Sequence, residues 1–292
     1  MPVLLPTTID AVVRGIREHP RHVLLAGGTD LMVAVNHGHR RVSDDTMVIG
    51  LSGVGELRQW TVDHVSGYIR IGSGVTWREL ASEPFTTLAP ALAEAARTVG
   101  SPQIRTAGTI GGNLATSSPA GDGLGPISAL DAVVELVGPL GTRRVAYDAF
   151  ATGPKQTVLG DDELLTAVEV PIVRGWQGYA KVGVRNAMVI ATAAVTLVAD
   201  ARRRAVAIAL GSVGPTVLRC PEAEAVAADG FPWGGGTIDE RCLAAVGEAV
   251  RAAARPIDDH RSSAEYRRHA VGVLSQRMLV RAARGLDRTE RT

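Results

Sequence analysis

Two cysteines in 292 residues, Cys220 and Cys242, set the first limit on what this chain can do. Iron–sulfur clusters typically take four Cys ligands, so the chain cannot hold one by itself, and no CxxC pair offers a thiol redox or metal site. Lysine is just as scarce: of 31 basic residues, only Lys155 and Lys181 are Lys. A planar guanidinium does not replace a compact ammonium at a tight site, so these two are candidates for such sites; chance survival in an Arg-biased composition is the alternative. An excess of charge is missing too. The net charge is +1, with no long block of either sign, and a nucleic-acid binder would need a basic footprint. The longest apolar run, residues 187–199, contains two threonines. It falls short of the ~20 residues a membrane span needs and reads as a buried strand. The N-terminal MPVLLPTTID has no basic stretch ahead of an apolar one, so no secretory signal is expected and the cytoplasm is the default location.

The common nucleotide cradles are absent. No GxGxxG follows a strand, and no Gly-Lys pair exists for a P-loop. HExxH is missing, and the nearest approach to a serine nucleophile elbow, residues 210–214, lacks the first glycine. His37 and His39 have nothing nearby to complete a ligand set, so no metal site is expected.

What the chain does have is two glycine-rich stretches about eighty positions apart. In the first, an apolar strand ends in Leu24, Leu25 and Ala26, breaks at Gly27 and Gly28, and leads through Thr29 and Asp30 into a helix beginning near Leu31. Free amides and the positive end of a helix dipole gather at such a junction. Asp30 would repel a phosphate at close range; it suits a helix cap or a bond to a ribose or an amide. The second stretch, residues 105–122 (RTAGTIGGNLATSSPAGD), places Gly108, Gly111 and Gly112 among Thr109, Ile110 and Asn113, with Ser118 and Asp122 following. Backbone amides converging in such a turn bind anions, and Thr109, Asn113 and Ser118 add hydrogen-bonding side chains. Taken alone, it reads better as a tight turn followed by a surface loop. Two such nests meeting across a cleft suit a pyrophosphate, and hence a dinucleotide held by a fold other than the Rossmann type.

Elsewhere the pattern predicts a helix capped by Thr7 and Asp10, with Ile9, Val12, Val13 and Ile16 on one face, and strands at 22–26, 47–51, 59–63, 68–72, 133–137, 143–147 and 164–170. Residues 171–178, PIVRGWQG, form the best domain boundary. Three strands, 179–185, 188–198 and 205–212, precede two helices over 237–254 and 262–284, each with a capping box, at Thr237/Glu240 and Ser262/Glu265.

LLAGGTDLM, SPQIRTAGTIGGN followed by SPAGD, and the late PIDDHRSSAEYRRH closely resemble the flavoprotein (medium) subunit of molybdenum hydroxylases, the xanthine dehydrogenase and carbon monoxide dehydrogenase family, over essentially the whole chain. The resemblance implies an α+β fold. A two-subdomain FAD-binding domain of the PCMH/VAO type would cover 1–174 (subdomains about 1–55 and 56–174), and a C-terminal domain, a three-stranded sheet with a helix bundle, would cover 175–292. It implies FAD as cofactor, held by Leu24, Leu25, Ala26, Gly27, Gly28, Thr29, Asp30, Leu31, Thr109, Ile110, Gly111, Gly112, Asn113 and Ser118, with Asp122 near the adenosine or ribityl part, Leu165 as an apolar contact and Lys181 beside the flavin. Thr106 stands where the family has asparagine, and Lys155 has no assigned role. No essential catalytic side chain is expected. Molybdopterin and [2Fe–2S] clusters would belong to large and small partner subunits, with electrons passing through FAD to NAD or another acceptor. The alternative is a self-sufficient flavin oxidoreductase acting on a small molecule.

Overall fold

The structure is a computed structural model and describes residues 2–185 and 188–289. Ala187, where the long apolar run begins, lies outside them. Strand β1 (Val3–Leu4) leads into α1 (Ile9–Glu18), whose Val12 and Ile16 are buried as the apolar spacing requires. Its cap is Thr8 rather than Thr7: the Thr8 hydroxyl accepts from the Ala11 amide at 3.2 Å. β2 (His22–Leu25), α2 (Leu31–Asn36) and β3 (Met47–Gly50) follow, and the three strands form a parallel sheet in the order β1-β3-β2.

A five-stranded antiparallel sheet comes next, ordered β4-β5-β10-β6-β7. Its strands are β4 (Trp60–Asp63), β5 (Tyr68–Gly72), β6 (Val133–Gly138), β7 (Gly141–Ala146) and β10 (Leu164–Pro171); the short β8 (Ala151–Gly153) and β9 (Gln156–Thr157) pair with each other. The central strand β10 is buried from Leu164 through Val170, so it reads as a near-continuous apolar run without alternation. The excursion between β5 and β6 carries α3 (Trp77–Leu80), α4 (Phe85–Leu88), α5 (Pro90–Thr98), α6 (Pro102–Ala107), α7 (Ile110–Thr116) and α8 (Leu124–Ala129); α9 (Tyr147–Phe150) follows β7. Leu92, Ala96, Ile110, Leu114 and Ile127 from these helices pack with Ile71, Val134 and Val168 of the sheet in the largest core.

The last third is an antiparallel sheet of β11 (Gly175–Val182), β12 (Ala193–Asp200), β13 (Ala205–Gly211) and a two-residue edge, β14 (Leu218–Arg219). The strand expected from Met188 starts only at Ala193, because the Thr192 amide closes the hairpin on Val182 O at 2.7 Å. Three helices cover the sheet, α10 (Pro221–Gly230), α11 (Glu240–Ala253) and α12 (Ala264–Thr289). Helix α10 has no counterpart in the sequence reading: it buries only Ala223 and Ala227, too slight a stripe to stand out. Asp239, not Thr237, caps α11 through the Arg241 amide, and the Ser263 hydroxyl, not that of Ser262, accepts from Tyr266 N in the first turn of α12. Helix α5 packs on β11, and α8 on β12 and β13, so the excursion helices lie between the two larger sheets.

Candidate functional site

The two glycine stretches meet. A Cβ on Gly27 would fall on the Ala107 carbonyl, and one on Gly108 would come within 3.3 Å of Thr29 Oγ1. Glycine here allows close backbone approach. The first stretch leaves β2 at Leu25, turns at Gly28 with φ +69°, and enters α2 at Leu31. Met32 N donates to Gly28 O and Ala34 N to Asp30 O. The amides of Gly27, Gly28, Thr29 and Asp30 have no acceptor among the described residues. Unpaired donors of this kind, at the start of a helix, form an anion site. Asp30 sits at the N-cap position, yet its exposed side chain makes no capping bond, so the cap role considered from sequence is not realised. Leu24, Leu25, Ala26 and Leu31 frame this loop and are half-buried.

The second stretch is built differently. It is a helix start, not an amide nest: Thr109 caps α7, its hydroxyl accepting from Gly112 N at 3.1 Å. Ile110 N donates to Val75 O at 3.0 Å, Gly111 N to Ser73 O at 2.9 Å and Asn113 N to Thr109 O at 3.1 Å. The amides of residues 110–113 are therefore already engaged. None of Gly108, Gly111 and Gly112 has positive φ. Gly111 is glycine because a Cβ would strike Ser73, whereas Gly112 would meet only Thr109 Oγ1, at 3.2 Å. What is left unpaired is side chains: Asn113 Oδ1 is buried against the loop at Gly123 with no partner among the described residues, and the Ser118 hydroxyl makes no bond among them either. Sequence reasoning missed Trp77. Its amide donates to Gly108 O at 3.1 Å, and its ring lies against both Gly108 and Gly123, setting the spacing between the start of α7 and the loop after it.

Asp122 and Lys181 are brought together. Lys181 Nζ lies 2.7 Å from Asp122 Oδ2 and also donates to Thr98 O at 2.9 Å and Val189 O at 3.2 Å. An ammonium has three protons, and all three are used. Tyr179 OH donates to the other carboxylate oxygen at 2.7 Å, a partner the sequence did not suggest. Burial pushes the Asp122 carboxyl above its ordinary range, against the opposing pull of Lys181 and Tyr179. A carboxyl raised in the fold contributes most below its unfolded pKa and loses that contribution as pH rises through the folded value, so ionising Asp122 within the fold carries a net cost. Leu165 is buried in the main core on β10. Thr106 bonds its own helix at Pro102 O, and the amide of Lys155, at φ +57°, holds Ser117 O at 3.1 Å. Burial raises the Cys220 thiol to about 12, which leaves it no thiolate chemistry at neutral pH. His37 and His39 stack 6.1 Å apart, and no group of three metal-ligating side chains occurs among the described residues.

Two loops joined edge to edge, one offering bare amides and the other orphaned polar side chains, on an α+β frame without a Rossmann unit, define a dinucleotide-binding protein of the PCMH type. The sequence pattern of the FAD binding domain in molybdopterin dehydrogenase matches residues 1–173, and that of the CO dehydrogenase flavoprotein C-terminal domain matches 180–282. The chain belongs to this family: it is the FAD-binding subunit of a molybdenum hydroxylase-type oxidoreductase, and FAD is its cofactor. It is 33% identical to the nicotine 6-hydroxylase medium subunit of Paenarthrobacter nicotinovorans, with 89% of each chain covered. It is 29% identical to the xanthine dehydrogenase FAD-binding subunit of Escherichia coli O157:H7, covering 94% of this chain and 93% of that one. The solved CO dehydrogenase of Oligotropha carboxidovorans includes a chain that superposes with a TM-score of 0.84 at 28% identity, 98% of both chains being covered. No helix among the described residues is long and apolar enough to cross a membrane.

Proposed function

We propose that this chain carries electrons, within a molybdenum hydroxylase complex, from iron–sulfur clusters of a small subunit to NAD or another acceptor, while a molybdopterin-binding large subunit hydroxylates the substrate. The observation that carries the reading is the junction of the Gly27–Asp30 amides with the Thr109 helix start, which fits a pyrophosphate. Two phosphate charges match four unpaired amides, and the close approach of Gly27 to Ala107 holds both loops to one span. When bound, FAD supplies one- and two-electron chemistry, and the protein supplies position and electrostatics.

In this reading Leu24 through Leu31 form the first phosphate loop, and the side chains of Thr109, Asn113 and Ser118 complete the second. The exposed Asp30 carboxylate faces away from phosphate or accepts from a ribose hydroxyl. Ile110, Gly111 and Gly112 shape the wall, and the domains divide near residue 174. The similar chains support the division of labour: they are named medium chains or FAD-binding subunits of two dehydrogenases and a hydroxylase. The purified chain is expected to be yellow and to release FAD on denaturation, and to oxidise no organic substrate until partner subunits are added. A colourless chain that takes up no flavin contradicts the cofactor assignment; substrate turnover by the isolated chain contradicts the relay.

A further inference from the structure

The loop over residues 117–123 carries Ser118 and Asp122; its own turn is closed by Gly121 N on Ser118 O at 2.8 Å, and the Lys155 amide holds its start at Ser117 O. Gly121 and Gly123 lie against the Asn113 side chain, 3.0 Å from Nδ2 and 2.9 Å from Oδ1 for an added Cβ. A shift of the loop therefore moves Asn113 at the mouth of the second stretch. Three anchors hold the loop from the C-terminal domain. Tyr179 OH and Lys181 Nζ each take one oxygen of Asp122, and Ser212 N donates to Pro119 O at 2.9 Å.

The anchors are themselves braced. Glu94 of α5 accepts from the Tyr179 amide at 2.7 Å, and the ring of Tyr179 sits among Ala95, Ala191 and Ala194. Ser212, at φ +63°, is clamped by buried Arg267, whose Nη1 donates to both Ser212 O and Thr192 O at 2.9 Å while Nη2 meets Asp259 at 2.6 Å. The late motif PIDDHRSSAEYRRH, without a role in the cradle itself, supplies both Asp259 and Arg267.

We propose that Tyr179 is a positioning residue for FAD binding: through Asp122 it makes the C-terminal domain hold the 117–123 loop, and with it Asn113, in place for the cofactor. This rests on the FAD reading above. The ion pair alone does not need Tyr179, since Lys181 already neutralises Asp122; the hydroxyl adds direction, fixing the carboxylate plane so that Gly121 and Gly123 stay against Asn113. Burial keeps the Tyr179 phenol protonated, and thus a donor.

The test is Tyr179→Phe in the full chain, which keeps the ring packing and deletes one donor to a charged acceptor. FAD affinity, measured by flavin fluorescence, is expected to fall about tenfold, and the visible circular dichroism of the bound flavin to change. In a double-mutant cycle with Asp122→Asn, the second substitution is expected to add little to the first, which a packing role would not produce. Wild-type affinity and an unchanged flavin spectrum in Tyr179→Phe overturn the proposal, as does full additivity in the cycle. A wild-type chain that binds no FAD overturns the cofactor reading instead. If Tyr179→Phe does not fold, hydrogen exchange of the wild-type chain decides: FAD is expected to slow exchange over 117–123 and 177–182 together, and slowing at neither segment, or at 117–123 alone, refutes the coupling.

Discussion

The two glycine stretches are near-twins in composition and opposites in use. In residues 26–30 glycine leaves the backbone bare, with one residue at positive φ and a run of amides unclaimed by the fold. In residues 108–113 glycine lets helix α7 sink against the loop that follows β5, and the fold consumes the amides. The first loop is a donor surface, and the second is a rigid wall presenting side chains. A glycine motif therefore names a tight place without saying whether ligand or protein fills it.

Substitutions separate the two uses. The largest effect is expected from Gly27→Ala, whose Cβ falls on the Ala107 carbonyl and drives the loops apart; overpacking on the order of 3 kcal/mol corresponds to roughly 100-fold weaker FAD binding, checked by fluorescence titration. Gly111→Ala strikes Ser73 and should first lower stability, by about 2 kcal/mol in urea unfolding of the apo chain. Its neighbour behaves in the opposite way. Gly112→Ala meets only a hydroxyl, so the apo chain should keep its stability or gain about 0.5–1 kcal/mol from helix propensity, while FAD affinity drops about tenfold because the new methyl points into the open side. Equal stability losses at Gly111 and Gly112 would erase the distinction drawn between wall and open face. Smallest is Thr109→Val, which removes a helix cap for about 1 kcal/mol, a melting shift of about 2–4 °C in a chain of this size.

Sequence made the loops legible because glycine and small hydroxyl residues at a strand end or helix start leave a composition mark. It also showed the strand at 164–170, the α1 face and the hairpins of the two larger sheets, each set by local periodicity; the strand order within those sheets was not legible. Whether an amide is free was not legible. That depends on Ser73 and Val75, nearly forty residues before Gly111 and free of any motif of their own. The scarcity of lysine pointed to Lys181, but its bond to Asp122 comes from α5, α8 and β11 meeting between sheets. Tyr179 and Trp77 left no trace, since an isolated aromatic reads as core until the packing shows what it touches. The capping residues came out one or two positions off because Thr7/Thr8 and Ser262/Ser263 are chemically equivalent candidates, and the fold selects between them.

Hydrogen exchange measured by mass spectrometry on the apo and FAD-loaded chain tests the central claim most directly. Amides of residues 110–113 are expected to be protected before FAD is added and to change little, while those of residues 27–30 exchange freely in the apo chain and become protected on loading. Protection gained at 110–113 with residues 27–30 left open would contradict it.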